Sequence, residues 1–264
     1  MRRTKTHLIV LLNEPLTFSA TVQKSQRIGA TGWRRERLFF TGMAVAFAIT
    51  VFAGFSRTYY LRRYFNTSGL PVLLHFHGLI FSSWLALLVT QTSLVAAKRT
   101  HIHRRLGIAG AVIAVLVVVV GSFTAIFRAK IVEVPPGVAS PLIFLTIPLG
   151  DMLVFAILVG AGFYFRRRVD VHKRLMLLAT VAILPAATAR LPFAFIQEVG
   201  PLAFFGLADL FIVPCLIYDL LARGRPHRAT VLGGLLIVVS HPLRLMIGNT
   251  GAWLAFANWL TQWV

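Results

Sequence analysis

Seven long apolar tracts with almost no formal charge dominate this chain. Residues 38–56, 71–97, 106–127, 141–165 and 199–218 contain no Lys or Arg and at most one acid each. Residues 175–196 and 229–247 are also long and apolar, and hold one arginine each, Arg190 and Arg244. A hydrocarbon core about 30 Å thick is crossed by about 20 helical residues, and it tolerates no unpaired backbone polar group facing lipid. The tracts therefore predict an all-α fold, a polytopic transmembrane helix bundle of about seven helices. Composition agrees, because 13% of residues are charged, against roughly 25% in soluble domains.

The net charge of +19 would suggest nucleic acid in a soluble protein, but its placement argues otherwise. The segments before residue 38 and at 98–105, 166–174 and 219–228 together hold 20 Lys and Arg, whereas the alternate segments 57–70, 128–140 and 197–198 hold 5. Loops rich in Lys and Arg stay in the cytoplasm. The asymmetry places the N-terminus inside and the C-terminus outside, with anionic cytoplasmic headgroups, rather than nucleic acid, as the partner of the basic loops. Membrane-protein partners remain open. The apolar stretch 8–12 is too short for a signal-peptide core. Residues 1–37 read as a basic, disordered cytoplasmic tail, and 1–32 could also be an over-extended start.

Residues 38–248 form the membrane domain. The outer loop 131–141 has turn chemistry from Pro135, Pro136 and Gly137, and Pro148, Pro185, Pro192, Pro201, Pro214 and Pro242 predict bends within or at the edges of spans. Residues 249–264 predict an uncharged amphipathic helix at the outer interface, with Trp253, Phe256, Trp259, Leu260 and Trp263 on one side.

Two echoing motifs, HIHRRLG at 101–107 and DVHKRLM at 170–176, place a histidine at the mouth of a span. His103 shares its helical stripe with Gly107, Gly110, Ala114, Val117, Gly121 and Ala125. His172 lines up with Met176, Ala179, Ile183, Ala186 and Arg190, which puts His172 and Arg190 at opposite ends of one inward face, about five turns apart. His75 falls on a small, polar stripe and is expected to look inward. His77 lies about 200° away on the same helix and is expected to face lipid. His241 shares a face with Gly234, Ile237, Arg244 and Gly248. Asp151 and Asp209 fall near the middle of the fourth and sixth spans. Lys173 and the arginines beside the two motif histidines read as anchors to the cytoplasmic leaflet.

Ionisable groups inside a bilayer are costly and mark candidate sites. Histidines on facing helices, small-residue faces and arginines suit haem b, with imidazoles as axial ligands and arginines on the propionates. The candidate cofactor residues are His103, His172, His75, His241, Arg190 and Arg244, with His103 and His172 as the candidate iron ligands. The same charged residues, with Asp151 and Asp209, also fit a small-solute or proton-coupled transporter. A structural or assembly subunit is a third reading. Neither HExxH nor GxSxG occurs, which removes the signatures of two hydrolase classes. Cys215 stands alone, so no intrachain disulfide is possible.

The segments HFHG (75–78), HRRLG (103–107), PLGDMLVF (148–155), DVHKRLM (170–176) and AFFGLADLF (203–211) together resemble an uncharacterised family of bacterial multi-pass inner-membrane proteins. The resemblance covers roughly residues 38–264, and it implies an inner-membrane location without supplying an activity. The histidine-plus-arginine pattern at helix ends is more distantly similar to four-helix b-type membrane cytochromes and to small oxidase-assembly proteins. Asp151, on the fourth helix, departs from a di-haem pattern.

Overall fold

The computed structural model describes residues 15–67, 69–130 and 140–264, with side chains from residue 34 onward. The loop prolines 135 and 136 and the stretch 8–12 lie outside the described residues. The elements are α1 (Pro15–Phe55), a π-helical turn (Ser56–Tyr60), α2 (Val72–Ala96), α3 (Thr100–Arg128), α4 (Pro141–Phe144), α5 (Thr146–Tyr164) and α6 (Val169–Ala182). They continue as α7 (Pro185–Thr188), α8 (Ala194–Val199), α9 (Pro201–Asp209), α10 (Ile212–Arg223), α11 (Arg228–Gly248) and α12 (Gly251–Thr261). Helical backbone thus reaches back to Pro15, into the segment read from sequence as a disordered tail.

Seven of the resulting segments are long and apolar enough to cross a membrane: Arg34–Tyr60, Val72–Ala96, Thr100–Arg128, Pro141–Tyr164, Val169–Thr188, Pro201–Arg223 and Arg228–Gly248. Large apolar side chains such as Ile49, Leu79, Val112, Val119, Leu153, Leu221 and Met246 lie exposed on their outer faces. Water penalises such surface at roughly 25 cal/mol per Å², whereas lipid does not. The chain is a multi-pass membrane protein with an all-α bundle fold.

The bundle is built around α5 and α6. The fifth span is 72% buried and the fourth 50%, against 17% for the second and 22% for the third. α2 packs along α3, α3 along α5, α5 along α6, and α11 along both α5 and α6, while α1 closes the ring against α2, α6 and α7. Glycines allow the close approaches. A methyl group at Gly121 would meet the Met152 sulfur, one at Gly162 the Met176 terminal methyl, and one at Gly233 Leu178.

Proline sets the two main interruptions. Pro185 cannot donate to the carbonyl of Val181 and would clash with it, so α6 stops and its last turn tightens to i→i−3 bonds, Ile183 to Thr180 (3.2 Å) and Leu184 to Val181 (3.0 Å). Pro214 does the same four residues after Leu210, where α9 gives way to α10. Pro201 opens α9 after Gly200, whose φ of 70° and ψ of −138° are open to glycine alone. Pro242 stays inside α11.

The α6–α7 break corrects one expectation. His172 and Arg190 do not share one continuous helical face, because Arg190 falls beyond α7. The C-terminal segment is helical as expected. It docks through Ala257 and Thr261, leaving Phe256, Trp259 and Trp263 exposed. Trp253 Nε1 donates to the Leu142 carbonyl at 2.8 Å, and Lys130 Nζ donates to the Val264 carbonyl.

Candidate functional site

Among the described residues, buried ionisable side chains fall into two groups, one toward each end of the bundle. At the end carrying His172, Arg174 is buried and turned inward, where it pairs with the fully buried Asp219. Four donors converge on that carboxylate: Arg174 Nε at 2.9 Å together with Nη2, Thr230 Oγ1 at 2.5 Å and the backbone N–H of His227 at 3.1 Å. His227 caps α11 by accepting the Ala229 N–H on Nδ1 (3.0 Å), so the proton of its neutral ring sits on Nε2 and is donated to Asp170 Oδ2 at 3.0 Å. Arg174 is therefore an internal tie and not a headgroup anchor, which corrects the sequence reading. Lys173 also bonds within the protein, to Glu36 Oε1 at 2.5 Å, and lies over the Phe40 ring at 4.9 Å. Sequence reasoning passed over Asp219 and His227. The available signal was a carboxylate ending one span, with a histidine and a threonine beginning the next.

His103 and His172 do come together, with ring centroids 6.4 Å apart and planes at 78°. His172 Nδ1 bonds the Gly162 carbonyl at 2.8 Å, while His103 Nδ1 is buried without a partner. Two imidazoles on one metal put their nitrogens roughly 4 Å apart, at about 2 Å per bond, and their ring centres about 6 Å apart. The spacing fits, and side chains of α2 occupy the space beside the stripe glycines that a macrocycle would need. Gln91 donates to the His103 carbonyl at 3.2 Å and lies beside Gly107, while Leu87 fills the space beside Gly110.

In the other half of the bundle, Arg244 donates to Asp151 Oδ1 and, at 2.9 Å, to Ser240 Oγ. His241 Nε2 bonds Asp209 Oδ1 at 3.1 Å, and its ring stacks on Phe205 at 4.0 Å. The Arg244 guanidinium lies over the same Phe205 ring, 5.9 Å from its centre. Arg244 is thus committed to Asp151. Gly150 makes that pair possible, because a side chain there would run into the Arg244 stem. His75 is exposed, and no described contact joins it to His241.

Beside this ionic cluster lies a cavity of about 560 Å³, within the range of small-molecule sites. Its walls come from the end of α1 and the π-turn, the first half of α2, the last turns of α3, the α4–α5 junction and both sides of the α6–α7 break. Phe55, Phe81, Met152, Leu184 and Phe204 make it apolar, and Tyr59, Tyr60, His77, Asp151, Arg128 and Arg190 supply its polar groups. Tyr60 Oη and Ser82 Oγ are 2.7 Å apart, and Tyr59 lies against Gly78, where a methyl group would collide with the ring.

The cavity reverses the expected roles of two histidines. His77 lines it, stacks on Phe81 at 4.2 Å and keeps Nδ1 buried without a partner, while His75 points away. The buried face of α2 is the bulky one that carries Trp84 and Leu88, and Trp84 Nε1 reaches across the core to Thr180 Oγ1 at 3.1 Å. No group of three or more His, Cys, Asp or Glu poised for a metal ion occurs among the described residues. Searches against protein-family models, curated proteins and solved structures find no match to this chain.

Proposed function

We propose that this protein is a membrane carrier or binding protein for a small, largely apolar molecule that occupies the 560 Å³ cavity. The observation that carries the reading is a cavity walled on one side by a proline-broken helix, α6–α7. Irregular backbone at membrane depth is tolerated where protein buries it or where it lines a cavity, and discontinuous helices form the substrate sites of many transporters. The ionic cluster of Asp151, Arg244, His241 and Asp209 lies against it and supports coupling to protons or ions. The loop charges support an N-terminus inside, which puts the cavity in the outer half, and the family resemblance supports a bacterial inner membrane.

The test fills the space. Ala186, on α7, lines the cavity and has exposed surface. Ala186→Trp is expected to abolish binding of tritiated hexadecanol to nanodisc-embedded protein in a scintillation proximity assay, while the variant purifies as wild type does. Undiminished binding would remove the cavity as the site.

The 6.4 Å approach of His103 and His172 favours a second reading, haem between them in a redox or redox-accessory protein. When bound, the haem would supply one-electron chemistry, with the two imidazoles as the residues to hold it. Gln91 and Leu87 must first move aside. Protein from haem-supplied cells should then show a Soret band that shifts on dithionite reduction and disappears in either His103→Ala or His172→Ala. Colourless wild-type protein would end this reading.

A further inference from the structure

We infer that the cavity selects a single-chain amphipathic anion, held by Arg128 and Arg190 at its mouth; the inference rests on the cavity being a binding site. Both arginines line the cavity, and neither has a carboxylate partner among the described residues. Arg190 donates to the Ala186 carbonyl at 2.5 Å and lies over the Phe55 ring at 4.8 Å, which fixes the guanidinium without neutralising it. Surrounding protein first, and then the like charge of Arg128, lower Arg190 to about 10, so it is still a cation at neutral pH.

The other charges on this wall are already balanced. Asp151, the carboxylate that lines the cavity, is committed to Arg244. Two cations that repel each other and face one apolar space are stabilised by an anion between them, and a guanidinium fork suits a carboxylate or a phosphate. His77, whose Nδ1 is buried without a partner, adds a third polar group to the lining. The remaining walls offer no charge to a second polar end, so the rest of the ligand is apolar. At about 30 Å³ per water-sized group, the cavity holds roughly twenty heavy atoms. That is one long acyl or isoprenoid chain with its head, and it falls short of a diacyl lipid.

The experiment compares palmitate with hexadecanol, which have the same chain length, on nanodisc-embedded protein in the same assay, with lysophosphatidate as a competitor. Palmitate is expected to bind at least about tenfold more tightly than the alcohol, because charge-assisted bonds exceed neutral ones. Arg128→Gln/Arg190→Gln should bring palmitate down to the level of the alcohol while hexadecanol binding is retained, which also shows that the variant is folded. Both palmitate and lysophosphatidate satisfy the inference, and the tighter one names a free fatty acid or a membrane lysolipid as the source. Equal affinity for palmitate and hexadecanol, or a preference that survives in the double variant, overturns the inference and leaves the cavity reading standing. Binding of neither compound overturns both.

Discussion

A carboxylate taken out of water loses hydration worth several kcal/mol, and Asp219 recovers it from donors on α6, on α11 and in the turn between α10 and α11. Removing its charge would strand Arg174, which is also buried. Asp219→Asn should therefore destabilise the bundle by about 3–5 kcal/mol, and Arg174→Met/Asp219→Leu by much less, because the double change strands no charge. Thermal unfolding in detergent checks this; an Asp219→Asn midpoint equal to wild type would contradict it. Residue-level reading from sequence failed at Arg174 for a definable reason. Its position in a basic cluster suggests lipid headgroups, while its partner, Asp219, lies 45 positions away. It failed at His75 and His77 because small residues were taken to mark the inward face. Lipid penalises neither small nor bulky apolar groups, so on α2 the stripe with Trp84 and Leu88 turns inward instead.

Glycine tests the packing of single elements. In a free helix Gly→Ala stabilises by up to about 1 kcal/mol. At Gly160 nothing lies within 4 Å of the added methyl, so Gly160→Ala should be neutral or mildly stabilising. At Gly54 the methyl would collide with the Ala187 backbone carbonyl, which cannot swing aside as a side chain can. Gly54→Ala should separate α1 from α7 and lower the unfolding midpoint in the same assay, reversing the sign expected from helix propensity. An unchanged midpoint would mean that α1 and α7 are not in register here. At this scale the interruptions were partly legible: proline marked the breaks at Pro185 and Pro214, whereas Pro242 left α11 whole. A proline forbids one backbone bond, and the neighbouring helices decide whether the chain then parts or only bends.

The seven spans of the whole molecule were legible because each is decided by its own local composition. The cavity was not, since it belongs to six segments that meet only after packing, and no stretch of sequence records the space between them. Sidedness rests on loop charge and can be tested directly. An impermeant maleimide should label Asn249→Cys in intact cells, and Arg225→Cys only after the membrane is opened. The reverse pattern would invert the proposed topology. Cys215 is buried and is the chain's single cysteine, so background labelling should be low.

The C-terminal helix bears on all of this through its attachment. Trp253 ties α12 to α4, and Lys130, two residues beyond Arg128, ties the chain end to the end of α3. Its free aromatic edge, Phe256, Trp259 and Trp263, favours the depth where headgroups meet acyl chains. On the proposed reading the helix is a float moored beside the cavity mouth. In thicker or thinner bilayers it would keep the two arginines at the waterline, where the charged head of a lipid-borne molecule would already travel.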